Sequence, residues 1–344
     1  MTTLHAKVTG TPLGRPGPGL RLRRWRLTRG SMVSMVIRRV FTAVPLLLLV
    51  SSLSFVLLSL TPGDAARQIL GTRGTPEQYE ALRQQLGLDQ PVYEQFWHWL
   101  SRAVTGDFGT SIINGTSVAG EIWARLPVTL SLISGAILVS VVVGVAGGVF
   151  SAVKDGWLAR AIDALVLVVW ALPVFWVGSM LVVVFAIKLE WLPAVGYVPL
   201  SESPTAWARS LALPVFALSL GSVAAVVKQT REAMLDVLGS DYIRMAAANG
   251  IPPRSLIFRH ALKNAAIPVV TVVGLQTIGL FGGAVLIENL FAVPGLGSLL
   301  VTSALSNDIP AVQAVAVVFT LVVIIVNFAV DIAYGLLNPK LRSS

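Results

Sequence analysis

Residues 38–60 read RRVFTAVPLLLLVSSLSFVLLSL, and this stretch decides the class of fold. After Arg38 and Arg39 no charge interrupts it up to Leu60. About 20 apolar residues in a helix cover a hydrocarbon core of about 30 Å, so the stretch is long enough to cross a bilayer. It exceeds the 7–15 residues of a signal-peptide core, and no small-x-small cleavage site directly follows it. The sequence continues instead with Thr61-Pro62-Gly63-Asp64. The expectation is a retained first membrane helix at 36–61.

Working outward, five more apolar stretches follow, at 127–153, 159–187, 211–229, 267–289 and 311–336. No alternating pattern of the kind a barrel strand carries is present, so the spans read as helices, which satisfy their own backbone in lipid. The composition agrees. Of 344 residues 55% are apolar and only 12% charged, against roughly 25% charged in soluble domains. Mean hydropathy is +0.77. A soluble globular enzyme, a disordered chain and a fibrous one are excluded, and most of the surface faces lipid. With no cysteine there is no disulfide, thiolate nucleophile or Cys-based metal site.

Charge asymmetry sets an expected orientation. With a cytoplasmic N-terminus, nineteen Lys/Arg fall inside and seven outside, which places both termini in the cytoplasm. The net charge of +9 therefore reports topology and not nucleic-acid binding. Residues 1–35 form a basic, Pro- and Gly-rich flexible tail, either touching anionic lipid heads or solvated with no role beyond orientation.

Segment 62–125 is the long outside stretch. Thr75-Pro76-Glu77-Gln78 carries an N-cap, a proline at the first helical position and a capping-box glutamine. Tyr79, Leu82 and Leu86 follow at helical spacing, and Gly87 suits a C-terminal stop. A second helix is expected from about Pro91, with Val92, Phe96 and Leu100 on one face and Trp97 and Trp99 nearby. This pair either packs on the outer ends of the spans or receives a soluble outside partner.

Segment 231–265 is the longest cytoplasmic loop and reads as helix, break, helix. The first helix ends at Asn249-Gly250, and Pro252 and Pro253 forbid its continuation while suiting the first turn of the next. In the second helix Ser255, Arg259 and Lys263 recur every four residues, with Ile257 and Ala261 on another face. A short amphipathic helix clamped between spans suits docking in a groove of a cytoplasmic partner. The competing reading is a surface helix lying on lipid heads.

Polar groups inside spans are costly, so each is a candidate. Asp163, Glu288 and Asp331 lie near span ends, where pairing or capping competes with lining a pathway. Gln276 lies within the fifth span as a pathway residue or an interhelical bond. Gly144-Val145-Ala146-Gly147-Gly148 lacks the lysine of a phosphate loop and suits close helix packing. His5, His98 and His260 all fall outside the spans, which counts against a metal site and an intramembrane hydrolase. An ion-coupled secondary transporter would want midplane carboxylates and an inverted repeat, and neither is found.

Asp241-Tyr242-Ile243-Arg244-Met245-Ala246-Ala247-Ala248-Asn249-Gly250, then Arg259-His260-Ala261-Leu262-Lys263-Asn264-Ala265 and Pro268, resembles the EAA loop of ABC-importer permeases, closest to the dipeptide/oligopeptide branch. Similar matches run in order through Leu60–Asp64, Leu86–Pro91, Gly106–Ser111, Arg125–Leu130, Leu172–Trp176, Trp191–Ala194, Glu288–Gly297, Asp308-Ile309-Pro310 with Gln313, Asp331 and Asn338-Pro339-Lys340. The resemblance spans roughly 36–342. Arg244 stands where the motif has its eponymous glutamate, Met245 replaces the first alanine, and Pro252-Pro253 is unusual after the glycine.

The resemblance implies an all-α membrane protein of six transmembrane helices. It would have the type I ABC importer permease fold, a helical extracytoplasmic insertion between helices 1 and 2, and a core over 126–342. It implies a non-catalytic subunit in the cytoplasmic (inner) membrane that translocates di- or oligopeptides, with nickel, glutathione or another small solute as alternative cargo. It implies no cofactor on this chain, with ATP and Mg bound by partner ATPase subunits, separate or fused. The other partners would be a second permease chain, an extracytoplasmic peptide-binding protein and membrane lipid. Coupling to the ATPases would fall to Asp241, Tyr242, Arg244, Ala246, Ala247, Gly250, Ile251, Arg254, Arg259 and His260. Polarity within the spans, apart from the resemblance, makes Gln276, Glu288 and Asp331 the candidates for the pathway.

Overall fold

The computed structural model describes residues 31–60, 65–71, 74–154 and 156–337. The tail 1–30, Thr61–Asp64, Asn338-Pro339-Lys340 and the side chain of Asp331 lie outside the described residues. Twelve helices are assigned here in chain order. They are α1 Ser31–Leu60, α2 Ala65–Leu70, α3 Pro76–Gln85, α4 Val92–Ala103, α5 Val118–Val153, α6 Trp157–Ala171 and α7 Val174–Leu181, which continues as a π-helix over Val182–Lys188. Then come α8 Pro204–Leu238, α9 Asp241–Ala248, α10 Pro253–Leu290, α11 Leu296–Leu305 and α12 Ile309–Leu337.

Among the described residues five helices are long and apolar enough to cross a membrane: α1 from Phe41, α5, α8, α10 and α12. The sixth expected span, 159–187, is not one straight helix. It is the pair α6 and α7, bent by 104° at Leu172-Pro173. Pro173 has no N–H to continue the ladder and biases the residue before it toward extended backbone. Leu172 is extended (φ −90°, ψ 131°). The helix of the second span, α5, already begins at Val118, within 62–125, where the Ser117 hydroxyl accepts from the Gly120 N–H at 3.4 Å. The fold is a helical bundle with an interrupted third span.

Glycine sets its tightest contact. A Cβ at Gly144 would sit 2.6 Å from Val226 of α8, and one at Gly148 would sit 2.5 Å from Thr230 and 2.7 Å from the Val227 carbonyl. Without side chains there, the backbones of α5 and α8 approach closely, as small residues allow in lipid. The 144–148 stretch is thus packing glycine, as its composition suggests. Leu132, Ile133, Ala136, Ala217, Leu218, Leu280, Phe281 and Ile287 form the main core where α5, α8 and α10 meet.

The insertion is folded as its sequence signals. The Thr75 N–H donates to Gln78 Oε1 at 2.9 Å and Gln78 N–H to Thr75 Oγ1 at 3.4 Å, closing the capping box of α3. The helix stops at Gly87 (φ +68°), with Leu88 N–H bonding to the Arg83 carbonyl. In α4 the inward face is centred on Trp99, with Phe96 and Leu100 partly buried. Val92 and Trp97 face outward. Phe96 packs edge-on against Phe55 of α1 at 5.6 Å. Asp308, just before α12, accepts from the Ser111 hydroxyl and from the Ile112 N–H at 3.3 Å, tying the insertion to the last span. Gln313 reaches the Ser51 carbonyl at 3.0 Å and ties α12 to α1.

Candidate functional site: an exposed elbow and the span interior

The elbow begins where α8 ends and α9 leaves it. α9 closes as its sequence dictates: Gly250 takes φ +81°, Gly250 N–H bonds to the Ala247 carbonyl at 3.0 Å, and Ile251 N–H to the Ala246 carbonyl at 3.2 Å. This is the paired closure that a left-handed glycine permits. Pro253 then occupies the first position of α10. The break falls at the expected residues, but the short free-standing helix is α9, before the prolines. The segment after them is not separate: it runs through a π-helical turn, Leu256–Ala261, into the fifth span, so Pro253–Leu290 is one rod. Leu256, Ala261 and Ala265 are buried, the two alanines beside Met234 and Ala152, which seats the rod's start on α5 and α8.

α9 holds to the protein by one edge. Ile243 is buried, and Asn264 of α10 donates to the Tyr242 hydroxyl at 2.8 Å. The rest faces outward: Met245 is 66% exposed, and Arg244, Ala247 and Ala248 are exposed. Arg244 approaches Asp241 at 3.7 Å with both side chains largely in the open, a pair worth about 0–1 kcal/mol that leaves the guanidinium available. Ala246, Ile251 and His260 are half-buried, and Arg254 and Arg259 are exposed. All ten residues of the expected coupling set therefore gather on one end of the bundle. With the neighbouring Met245, this end exposes an apolar side chain, a tyrosine and three arginines, Arg244, Arg254 and Arg259.

Glu288, by contrast, is enclosed by the chain itself. It is 0% exposed. Its Oε1 accepts from the Thr129 hydroxyl at 2.6 Å and its Oε2 from the Ser298 N–H at 3.0 Å. The same Thr129 oxygen accepts from the Leu296 N–H at 2.8 Å. Carboxylate and hydroxyl together satisfy two amides in the first turn of α11, groups that would otherwise lie orphaned. Gly295 and Gly297 leave room, since a Cβ on either would meet Glu288 at 2.3 and 2.9 Å. Asp163 pairs with Arg231 of α8 at 3.5 Å, at the elbow end. Both carboxylates thus have partners within the chain.

Gln276 is different. It lines a cavity of about 250 Å³ beside the break between α6 and α7, with Trp170, Gly221, Ser222 and Gly279. A Cβ at Gly221 or Gly279 would meet nothing within 4 Å, so the backbone here borders open space. Trp170 donates to the Gly221 carbonyl at 3.3 Å, and the Lys228 ammonium lies 5.6 Å from its ring centre. The wall is sparse in polarity: one amide, one hydroxyl and exposed peptide groups. Sequence reasoning missed Thr129, Ser298, Ser111 and Trp170. Of these only Trp170 carried a local signal, an aromatic next to an ALP break.

Residues 144–343 match the binding-protein-dependent transport system inner membrane component family, and 32–133 match the N-terminal region of that family's membrane components. The chain belongs to this family. A peptide transport system permease of Brucella abortus is 39% identical to this permease over 312 residues, covering 90% of this chain and 99% of that one. A peptide ABC transporter permease of Sinorhizobium fredii is 38% identical over 308 residues, 89% of this chain and 98% of its own. The glutathione transport system permease GsiC of Escherichia coli K12 is 39% identical over 312 residues, 90% of this chain and 99% of its own. Among solved structures, the inward-facing MetNI methionine ABC transporter superposes with a TM-score of 0.51 at 17% identity, covering 63% of this chain and 96% of that one. The permease therefore shares the ABC importer permease fold and is a multi-pass inner-membrane protein.

Proposed function

We propose that this permease is the membrane subunit of an ATP-driven importer of small peptides. The reading places both termini and the elbow in the cytoplasm. There α9 and the start of α10 seat in a groove of a partner ATPase, which binds ATP and Mg. Relatives named for peptide and for glutathione transport, at near-equal identity, support a cargo of two to several residues joined by amides. A second permease chain and an outside binding protein complete the machine.

The observation that carries this reading is the elbow itself. α9 presents an outward face of Tyr242, Met245 and Arg244, yet it cannot slide. Ile243 and the Asn264–Tyr242 bond pin it to the fifth span, and Pro253–Leu290 passes on any displacement as one rod. When ATP draws the ATPase subunits together, α9 follows and the rod bearing Gln276 tilts. The two ends of the rod then bias one two-state equilibrium between inward- and outward-open forms. A weakly polar wall around Gln276 suits loose contact with peptide groups and leaves selection to the binding protein.

The test is purification of the tagged chain with whatever accompanies it, followed by ATPase assay in vesicles. Co-purification of an ATPase, with hydrolysis stimulated by loaded binding protein, is expected. Replacement of Met245 and Tyr242 by aspartate should release the ATPase while the chain still inserts. Peptide uptake by the 344-residue chain alone would refute the reading, as would retention of the ATPase by the double-aspartate variant.

A further inference from the structure

A groove of about 680 Å³ lies between the inner half of α5 and the start of α10. One wall is α5 from Val141 to Val153, including Ala146 and Phe150. The other is Ile257, Phe258 and Leu262. None of these residues belongs to the coupling set, and the transport cycle above does not use them. Phe258 is 63% exposed and Phe150 43%, so the chain leaves large apolar surface uncovered here.

Two features of the groove decide what fits it. The first is that its polarity is graded along its length. Every lining side chain is apolar except Lys154, which stands at the end of α5. Lys263 directly follows the lining residue Leu262 and is exposed. Ala261 and Ala265, on either side of it, pack in one cluster with Ala152, which sets Lys263 at the level where α5 ends. Neither lysine has a carboxylate within ion-pair distance among the described residues. An apolar trough thus ends beside two exposed ammonium groups, one on each helix. The second feature is length. Val141 to Val153 is about 18 Å of helix at 1.5 Å per residue, close to half of a hydrocarbon core of about 30 Å. The trough therefore matches one leaflet and not the whole bilayer. A spanning helix of another chain would call for apolar contact over twice that length and no cation at its middle. A molecule with one acyl tail per leaflet and an anionic head matches both features, as basic pockets between spans do in general.

We propose that this groove binds one anionic phospholipid of the inner leaflet, an acyl chain lying along α5 and the phosphate held by Lys154 and Lys263. The leaflet rests on the orientation in the transport reading above, whereas the anionic class rests on the two lysines alone. The bound tail fills the space between α5 and the first turns of the rod and braces the rod where it leaves the elbow.

The test uses the assembled importer in vesicles and the fact that the chain has no cysteine. Ala146→Cys places one thiol in the groove for a bimane label, and wild type carried through the same labelling supplies the blank. Quenching is titrated with two lipids brominated on their acyl chains, phosphatidylglycerol and phosphatidylcholine. Phosphatidylglycerol is expected to quench at a mole fraction about 5- to 30-fold lower, the worth of one to two lysines at an anionic head. Adding Lys154→Gln should shrink that preference about 5-fold, and adding Lys263→Gln as well should bring the two lipids together. Equal quenching by both lipids with the lysines in place overturns the site, because the groove then holds bulk lipid. Quenching by neither overturns it too, because a protein segment then covers the groove. A preference that survives the double glutamine variant refutes the role of the lysines. Peptide uptake is scored in the same vesicles, so loss of the transport reading is told apart from loss of this site.

Discussion

Replacing Glu288 with alanine tests whether a buried carboxylate holds the bundle together or serves passage of cargo. The side chain is fully enclosed and accepts two hydrogen bonds, from Thr129 and from the Ser298 amide. Alanine leaves both donors buried without a partner, at about 1–3 kcal/mol each. It also leaves a void beside Gly295 and Gly297, whose missing side chains gave Glu288 its room. The Leu296 amide keeps its acceptor only if the Thr129 hydroxyl stays in place. The expected loss is about 3–6 kcal/mol, a large part of the stability of an ordinary fold. Glu288→Gln keeps the volume and one oxygen for Ser298, but its amide group donates where the Thr129 hydroxyl also donates. Its expected cost is about 1–2 kcal/mol. The neighbouring Asn289 is exposed, and Asn289→Ala should stay within about 0.5 kcal/mol. The assay is thermal and SDS-induced unfolding of the purified chain in one detergent, followed by tryptophan fluorescence. Glu288→Ala with the midpoint of Asn289→Ala would refute the capping role. Altered cargo selectivity with unaltered stability would return Glu288 to the pathway.

Three further outcomes are expected. Gly250→Val puts a β-branched residue at φ +81°, where no neighbour crowds it but the backbone strains, so α9 should shift. The importer should keep hydrolysing ATP while uptake falls about 10-fold or more, and unchanged uptake in vesicles would count against the elbow. Gly148→Leu drives a side chain into Thr230 and the Val227 carbonyl and should separate α5 from α8, at about 1–3 kcal/mol; an unfolding midpoint equal to wild type would contradict that contact. Asp107 is held below its ordinary value, chiefly by the Arg102 guanidinium and then by the Gly109 amide. A lowered carboxylate supports the 102–109 turn above its unfolded pKa of about 3.9 and lets go as pH falls through the lower folded value. Protection of the Gly109 amide, its exchange rate divided into the intrinsic rate at each pH, should therefore stay flat from pH 8 to 5 and fall only in stronger acid, and Asp107→Asn should remove that acid step.

What could be read from the residues divides along a physical line. Spans, capping box and helix stops are local: each needs only the amino acids within one or two turns, and lipid forces the backbone to bond within its own helix. The EAA-like loop was legible for the same reason, since Gly250 and the two prolines fix the break where they stand. The bend at Pro173 was not. Pro45, Pro127, Pro214 and Pro268 all lie inside continuous helices of this chain, so a proline in an apolar stretch does not by itself announce a break. What differs at Pro173 is distant. Val174 and Leu181 pack on the main core, and a Cβ at Gly178 would sit 2.6 Å from Leu290, contacts that reward turning α7 away from the line of α6. Glu288 shows the same limit in reverse. Its carboxylate near a span end looked like a pathway group, because the residues that consume it, Thr129 and Ser298, are 159 positions before it and ten after. Polarity inside a membrane span marks a residue that needs partners. Only the fold tells whether those partners are the protein's own, as they are at Glu288.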